Sequence, residues 1–393
     1  MDVFERSLEL HRTHQGKLEV RSRMRLDSRE DLSLAYTPGV ARACEAIAES
    51  PGEAWDLTWK GRAVAVVSDG SAVLGLGDLG PEASLPVMEG KAVLFHEFGG
   101  VDAVPIVLDA REPAEIIAVV RAIAPSFGGI NLEDIAAPRC FEIEEGLQDV
   151  GIPVLHDDQH GTAIVLLAAL RNAARVVGRE LHELSVVISG AGAAGRAIAR
   201  LLTCQDAGGR CEAVRSIAIC DSRGRIAPGR DHQDPVKEEL ARLTNPEGRT
   251  GSLHEALEGA HVFIGVSRGG LLDGDDVRRM APDPIVLAMA NPEPEIDPEV
   301  AREAGAAVVG TGRSDHPNQV NNVLAFPGLF RGALRARATR FTDSMKLAAV
   351  EALAGLVAEP TAGRILPEAF DRSVAPAVAG AVERAARAAG VCH

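Results

Sequence analysis

The sequence predicts an α/β protein built on largely parallel sheets, in two α/β units closed by C-terminal helices. Three observations carry this. Short, continuous, β-branched runs such as Ala63-Val-Ala-Val-Val67 recur along the chain, as strands buried on both faces do. Segments with helical periodicity separate them, the alternation that produces parallel sheets with crossover helices. After Asn321 the pattern turns helical almost to the end, in about three segments.

The elements follow in order. The first thirty residues are polar and helix-like, and Thr37-Pro38-Gly39 breaks the chain soon after. Ala63–Val67 is the first strand. Gly75-Leu-Gly-Asp-Leu-Gly80 follows, then a helix from about 85 to 98. Val104–Leu108 reads as a strand, Ala114–Ala124 as a helix, and Ile152–Leu155 as a strand ending in His156-Asp157-Asp158. A helix over Thr162–Val177 stops at Gly178, glycine being a common helix terminator. Strands are predicted at 185–189, 216–220, 261–266, 285–290 and 306–309, while the charged, Pro- and Gly-rich stretch 221–249 shows no clear element. The division expected is an N-terminal unit over 1–161 and a second over 162–393, with 331–393 as its helical tail.

Composition narrows the partners. The 393 residues are 46% hydrophobic and 25% charged, ordinary values for a soluble protein of more than one domain. Forty-one Lys and Arg stand against 56 Asp and Glu, a net charge of −15, so no basic surplus exists for nucleic acid or anionic membrane. The longest apolar run, Thr162 to Leu170, is about half a membrane span. The six cysteines include no C-x-x-C pair and are too sparse for a disulfide scaffold. These features predict a soluble, cytoplasmic protein.

Ser185-Val-Val-Ile-Ser-Gly190-Ala-Gly192-Ala193-Ala194-Gly195-Arg-Ala-Ile-Ala is a strand, a G-x-G-x-x-G turn and a helix. Glycines there permit a tight turn and let a pyrophosphate approach the helix N-terminus. The motif alone also fits a Gly-rich turn that binds nothing, but here an apolar strand precedes it and a second strand ends in Asp221. A Rossmann-type, dinucleotide-binding unit is therefore expected. Asp221 favours a free ribose hydroxyl and hence NAD; Arg223 and Arg225 follow it and suit the 2′-phosphate of NADP, or else a solvated loop.

Two acidic pairs stand out, Glu133-Asp134 and Asp157-Asp158. Each alone reads as a solvated turn; together their oxygens suit Mg²⁺ or Mn²⁺. Zinc on His156 and His160 is disfavoured by Gly161 and the strand-end position. Lys91, among small and apolar residues, is either a snorkelling surface lysine or a base whose charged form burial disfavours. Tyr36 is the chain's one tyrosine.

In combination these residues resemble the malic enzymes. Leu34-Ala-Tyr36-Thr-Pro-Gly-Val40, Asp69-Gly-Ser-Ala-Val-Leu-Gly-Leu-Gly-Asp-Leu-Gly80, Val87-Met-Glu-Gly-Lys91, Gly129-Ile-Asn-Leu-Glu133-Asp134 and His156-Asp157-Asp158-Gln-His-Gly-Thr162 match the family's motifs in family order. Ala290-Asn291-Pro292 and Pro317-Asn-Gln-Val-Asn321-Asn322 continue the match. The length resembles the compact bacterial members. The resemblance implies oxidative decarboxylation of malate to pyruvate with NAD or NADP, and dimers or higher homo-oligomers. It implies Glu133, Asp134 and Asp158 as metal ligands, Lys91 as general base, Asp157 as its acidic partner and Tyr36 as general acid. Asn291 and Asn321 would hold substrate together with Lys91, and Asn291 and Asn322 would lie near the nicotinamide. Larger family members carry an arginine where this chain has Ala72, which leaves room for another 2-hydroxy acid. A dinucleotide-binding sensor without turnover would have lost one of these residues, and all are present.

Overall fold

The computed structural model describes residues 2–205 and 211–393. Two sheets organise them. The first has the order β2-β1-β3-β4, from β1 (Ala63–Ser68), β2 (Asp102–Val107), β3 (Gly129–Leu132) and β4 (Val154–His156), all parallel. Every residue of β1 and β3 is buried, as expected of central parallel strands covered on both faces. The second sheet has the order β10-β9-β8-β5-β6-β7. Its strands are β5 (Ser185–Ser189), β6 (Ser216–Asp221), the antiparallel edge pair-former β7 (Gly224–Arg225), β8 (Val262–Gly265), β9 (Ile285–Ala288) and β10 (Val308–Thr311).

The helices before the second sheet are α1 (Val3–His14), α2 (Arg29–Ala35), α3 (Val40–Glu49), α4 (Ala54–Leu57), α5 (Pro81–Leu94), α6 (Pro113–Ile123), α7 (Arg139–Glu145) and α8 (Asp157–Val176). Within the second unit, α9 (Ala193–Leu202) follows β5 and α10 (Pro235–Thr244) precedes β8. Three further helices, Phe326–Ala336, Asp343–Gly355 and Val374–Ala388, form the tail.

Four differences from the sequence reading matter. The strand Gly129–Leu132 is absent from the predicted elements: four residues are too few to display a period. The helix expected from Thr162 begins at Asp157, so the acids occupy its first turn rather than a strand end, where they suit the positive end of the helix dipole. The boundary expected between 161 and 162 consequently falls inside α8. Lastly, the stretch 221–249 contains β7 and α10, the latter capped by Asp234 and opened by Pro235.

α1, α2 and α3 bury no residue. Twelve of the twenty exposed large apolar side chains among the described residues lie between Val3 and Val40. This arm rejoins the body where Lys17 donates through its backbone N–H to Glu89 (3.0 Å) and through Nζ to the Pro86 carbonyl (2.6 Å). Cys204 and Cys211 form a disulfide, while Cys44, Cys140, Cys220 and Cys392 are free. No helix is long and apolar enough to cross a membrane among the described residues.

Candidate active site

The carboxyl ends of β3 and β4 lie side by side, with Leu132 paired to His156, and each strand runs directly into an acidic pair. That register brings Glu133-Asp134 beside Asp157-Asp158. Ligands of open parallel sheets collect at such strand ends. One ligand oxygen each from Glu133, Asp134 and Asp158 falls within 4.8 Å of the others. The backbone N–H of Asp134 donates to Asp158 (2.8 Å), and Asn131 Nδ2 donates to Glu133 (2.8 Å).

Lys91 meets this cluster from α5. Ser84, Met88 and Lys91 are buried on one face of that helix, the spacing that a packed helical stripe requires. Its Nζ lies 2.6 Å from Asp157 Oδ2 and 2.8 Å from Glu133 Oε1, and 4.1 Å from the centroid of the Phe326 ring. Asn322 Nδ2 donates to the same Asp157 oxygen (2.6 Å). Gly161 lets Asp157 fold back, since a Cβ there would stand 1.9 Å from Asp157 Oδ1.

Electrostatics follow from burial. Desolvation lifts the Glu133 carboxyl. Burial and the charges of Asp158 and Glu133 push Asp134 up to about 8, and burial pushes Asp157 up to about 6 against the pull of Lys91. The lysine corrects the sequence reading. Burial does lower it, but Asp157 and Glu133 outweigh burial and hold the ammonium above its ordinary value. Lys91 is therefore a charged group here, and it becomes a base only if a partner carboxylate is taken from it.

The acids fit a divalent cation. Three mutually repelling carboxylates share one site, and Asp134 Oδ2 is buried without a hydrogen-bond partner. Oxygen-only donors of this kind suit Mg²⁺ or Mn²⁺. His160, by contrast, points at Glu144 (3.0 Å), and neither ring nitrogen of His156 has a hydrogen-bond partner.

The turn after β5 fits a dinucleotide. Gly190 has φ +122°, and a Cβ on Gly195 would stand 1.9 Å from the Gly190 carbonyl. Nothing lies within 4 Å of a Cβ on Gly192, and α9 begins at Ala193-Ala194 without a side-chain cap. That leaves N–H groups free for a phosphate.

Asp221 ends β6 as expected, but its surroundings differ. Oδ1 accepts from the Arg223 N–H (2.9 Å) and Arg230 Nη1 (3.1 Å), Oδ2 from Arg230 Nη2 (2.5 Å) and Lys237 Nζ (3.3 Å). The Arg223 guanidinium turns away to the carbonyls of Asp231 and His232, and Arg225 Nε is buried without a partner. Arg230 and Lys237 are the residues that sequence pattern did not single out. They lie within the stretch 221–249 that shows no clear element in the sequence, so only the fold reveals their proximity to Asp221.

Asn291 precedes a cis peptide to Pro292. Its carbonyl oxygen would lie 3.1 Å from a Cβ on Gly75, so the Gly75–Gly80 loop lies beside it. Asn321 caps the turn Asn322–Leu324 by accepting the Val323 N–H. Tyr36 is the C-cap residue of α2. It is 69% exposed on the arm, and no hydrogen bond to its hydroxyl is found among the described residues.

Residues 15–114 match the malic enzyme N-terminal domain, and residues 159–387 match the malic enzyme NAD-binding domain. The chain belongs to the malic enzyme family. It is 55% identical over its full length to a bifunctional malic/malolactic enzyme of Bacillus subtilis, covering 95% of that protein. It is 54% identical to an NAD-dependent malic enzyme of Geobacillus stearothermophilus, over 96% of this chain and 78% of that protein. A malic enzyme structure from Pyrococcus horikoshii superimposes with a TM-score of 0.93 at 48% identity, over 100% of this chain and 92% of that one. An NAD-dependent malic enzyme structure from Thermotoga maritima gives 0.91 at 48% identity, over 98% and 99%. Family membership makes this chain an oxidoreductase, with the G-x-G-x-x-G turn inside the part that matches the NAD-binding domain.

Proposed function

We propose that the protein catalyses oxidative decarboxylation of L-malate to pyruvate and CO₂ with reduction of a nicotinamide dinucleotide. The observation that carries this is Lys91 bridging Asp157 and Glu133 at the edge of the acid triad. Glu133, Asp134 and Asp158 would hold Mg²⁺ or Mn²⁺, and Gly190 to Gly195 the pyrophosphate. When bound, the cation supplies Lewis acidity at malate's 2-hydroxyl and at the carbonyl formed from it, and the nicotinamide accepts the hydride. With Glu133 turned toward a bound cation, Lys91 would lose part of its hold and its pKa would fall. It then accepts the proton of the 2-hydroxyl at Nζ, with Asp157 and Asn322 keeping the amine in place. Asn291 and Asn321 orient the substrate. Tyr36 returns a proton to C3 after CO₂ leaves. On this reading the first sheet with its helices is the substrate and metal unit, the second sheet is the dinucleotide unit, and the site of action is cytoplasmic.

The test is absorbance in the reduced-nicotinamide band with L-malate, Mn²⁺ and each dinucleotide, with and without EDTA. EDTA-sensitive reduction that yields pyruvate is expected. Reduction on tartrate or isocitrate but not on malate would replace the substrate, the one point that Ala72 leaves open.

The ribose subsite supports a finer reading, that NADP is accepted as well as NAD. A carboxylate offers about four acceptor positions, and Asp221 has four donors on it, so no position is spare for ribose hydroxyls until Arg230 or Lys237 moves. Either cation, once freed from Asp221, suits a 2′-phosphate. Lys237→Gln is expected to lower kcat/KM for NADP by about tenfold or more, the scale of a charge-assisted hydrogen bond, with NAD little changed. Equal losses for the two dinucleotides would remove Lys237 from the subsite.

A homo-oligomer belongs to the same reading. Apolar side chains exposed along a whole arm mark an interaction surface, and among the described residues the arm's hydrogen bonds to α5 are those of Lys17. Sedimentation velocity should therefore find no monomer at micromolar concentration, and deletion of residues 1–14 should weaken assembly. Tyr36→Phe is expected to slow protonation of enolpyruvate more than hydride transfer. Equal loss of both partial reactions would reduce Tyr36 to packing.

A further inference from the structure

The first turn of α8 carries two acids with different tasks, Asp157 aimed at Lys91 and Asp158 aimed at the triad. Something must fix how that turn is rotated. Its N-cap residue, His156, supplies no side-chain cap, which leaves the N–H groups of a helix start in need of partners. Glu144 on α7 supplies one. Its Oε1 accepts the His156 backbone N–H (2.9 Å), and its Oε2 accepts Gln159 Nε2 (3.0 Å) and lies 3.0 Å from His160 Nε2. Three groups bracketing Asp157 and Asp158 in sequence thus converge on one carboxylate. It sits at the positive end of a twenty-residue helix, where a negative charge is favoured.

We propose that Glu144 is the positioning residue for this pair of acids, setting the rotation of the turn that presents Asp157 to Lys91 and Asp158 to the cation. The inference rests on the metal reading above. Glu144 touches neither Lys91 nor the triad, so its effect passes through His156, Gln159 and His160. The rest of α8 does not depend on it. Fourteen of the twenty residues are buried, and Asn172 Nδ2 anchors the far end to the carbonyls of Ala354 and Ile365. Loss of Glu144 should therefore loosen one turn and leave the helix standing.

The experiment is Mn²⁺ titration of the full chain, followed by the paramagnetic signal of free Mn²⁺, for wild type, Asp158→Ala, Glu144→Gln and Glu144→Ala. Glu144→Gln preserves shape, so it remains informative if the alanine variant fails to fold. Mn²⁺ affinity is expected to fall about tenfold in Glu144→Gln, the scale seen when a ligand's orienting partner is lost. Dinucleotide affinity and Tm should stay near wild type, a split that a merely structural role would not give. Saturating Mn²⁺ should restore only part of kcat, because Asp157 is displaced too. Unchanged Mn²⁺ affinity in Glu144→Gln, beside wild type that binds and Asp158→Ala that does not, overturns the proposal alone. Wild type that takes up no Mn²⁺ overturns the metal reading and this inference with it.

Discussion

Lys91→Ala is expected to stop malate oxidation, lowering kcat by about 10³-fold, within the range that a positioned proton-transfer group contributes. Dinucleotide affinity should be almost unaffected, because the Gly190–Gly195 turn belongs to the other sheet. The substitution also leaves Asp157 and Glu133 buried without their shared cation. Both should then hold protons more readily than in the wild type, each carboxyl being raised by burial even with Lys91 present. Steady-state rates with malate, together with calorimetric titration of the dinucleotide, separate these effects. Turnover within a few-fold of wild type would mean that the base is another group.

Asp158→Ala is expected to raise the Mn²⁺ concentration needed for half-maximal rate by at least about 100-fold, the upper end of what loss of a ligand's orienting partner costs. Wild-type metal binding should also depend on pH in a defined direction. Asp134, raised to about 8 in the folded protein, is ionised in an unfolded chain from about pH 4 upward. Between those values the folded state binds more protons, so the metal-free protein loses stability as pH rises. Mn²⁺ displaces the same proton, and its affinity therefore rises over the same interval. The Mn²⁺-induced gain in Tm should be larger at pH 8 than at pH 5. A gain that shrinks with rising pH would exclude Asp134 from the ligand set.

The strands are the most legible part of the sequence, since Ala63–Val67 and Val186-Val-Ile188 are continuous apolar runs that suit strands buried on both faces. Glycine spacing made the turn at Gly190–Gly195 equally plain. Short β3 is not legible, because Gly129–Leu132 has no room for a period. The start of α8 is hidden because Asp157 and Asp158 have the composition of a loop, and their place in a first turn depends on the helix dipole and on Lys91. Individual site residues were readable as chemical types, and their family order supplied the roles. Their pairings were not readable. Nothing in the spacing of Lys91, Glu133 and Asp157 says that the lysine holds both acids at once, or that Arg230 and Lys237 close on Asp221. Such facts depend on strand register and on which face of a helix turns inward.

α8 is a spine shared between the halves of the molecule. It leaves β4 carrying the acids and runs on to lead into β5, so the segment that presents the chemistry also joins the two sheets. Cutting the chain between 161 and 162 would strand Asp157 and Asp158 on a stub of five residues, too short to persist as a helix in water. Neither fragment would then own a working acid cluster. Dinucleotide grip and acid chemistry are thus tied to one rigid rod, and a swap of nucleotide units between relatives would have to splice beyond Val176 to keep that rod whole.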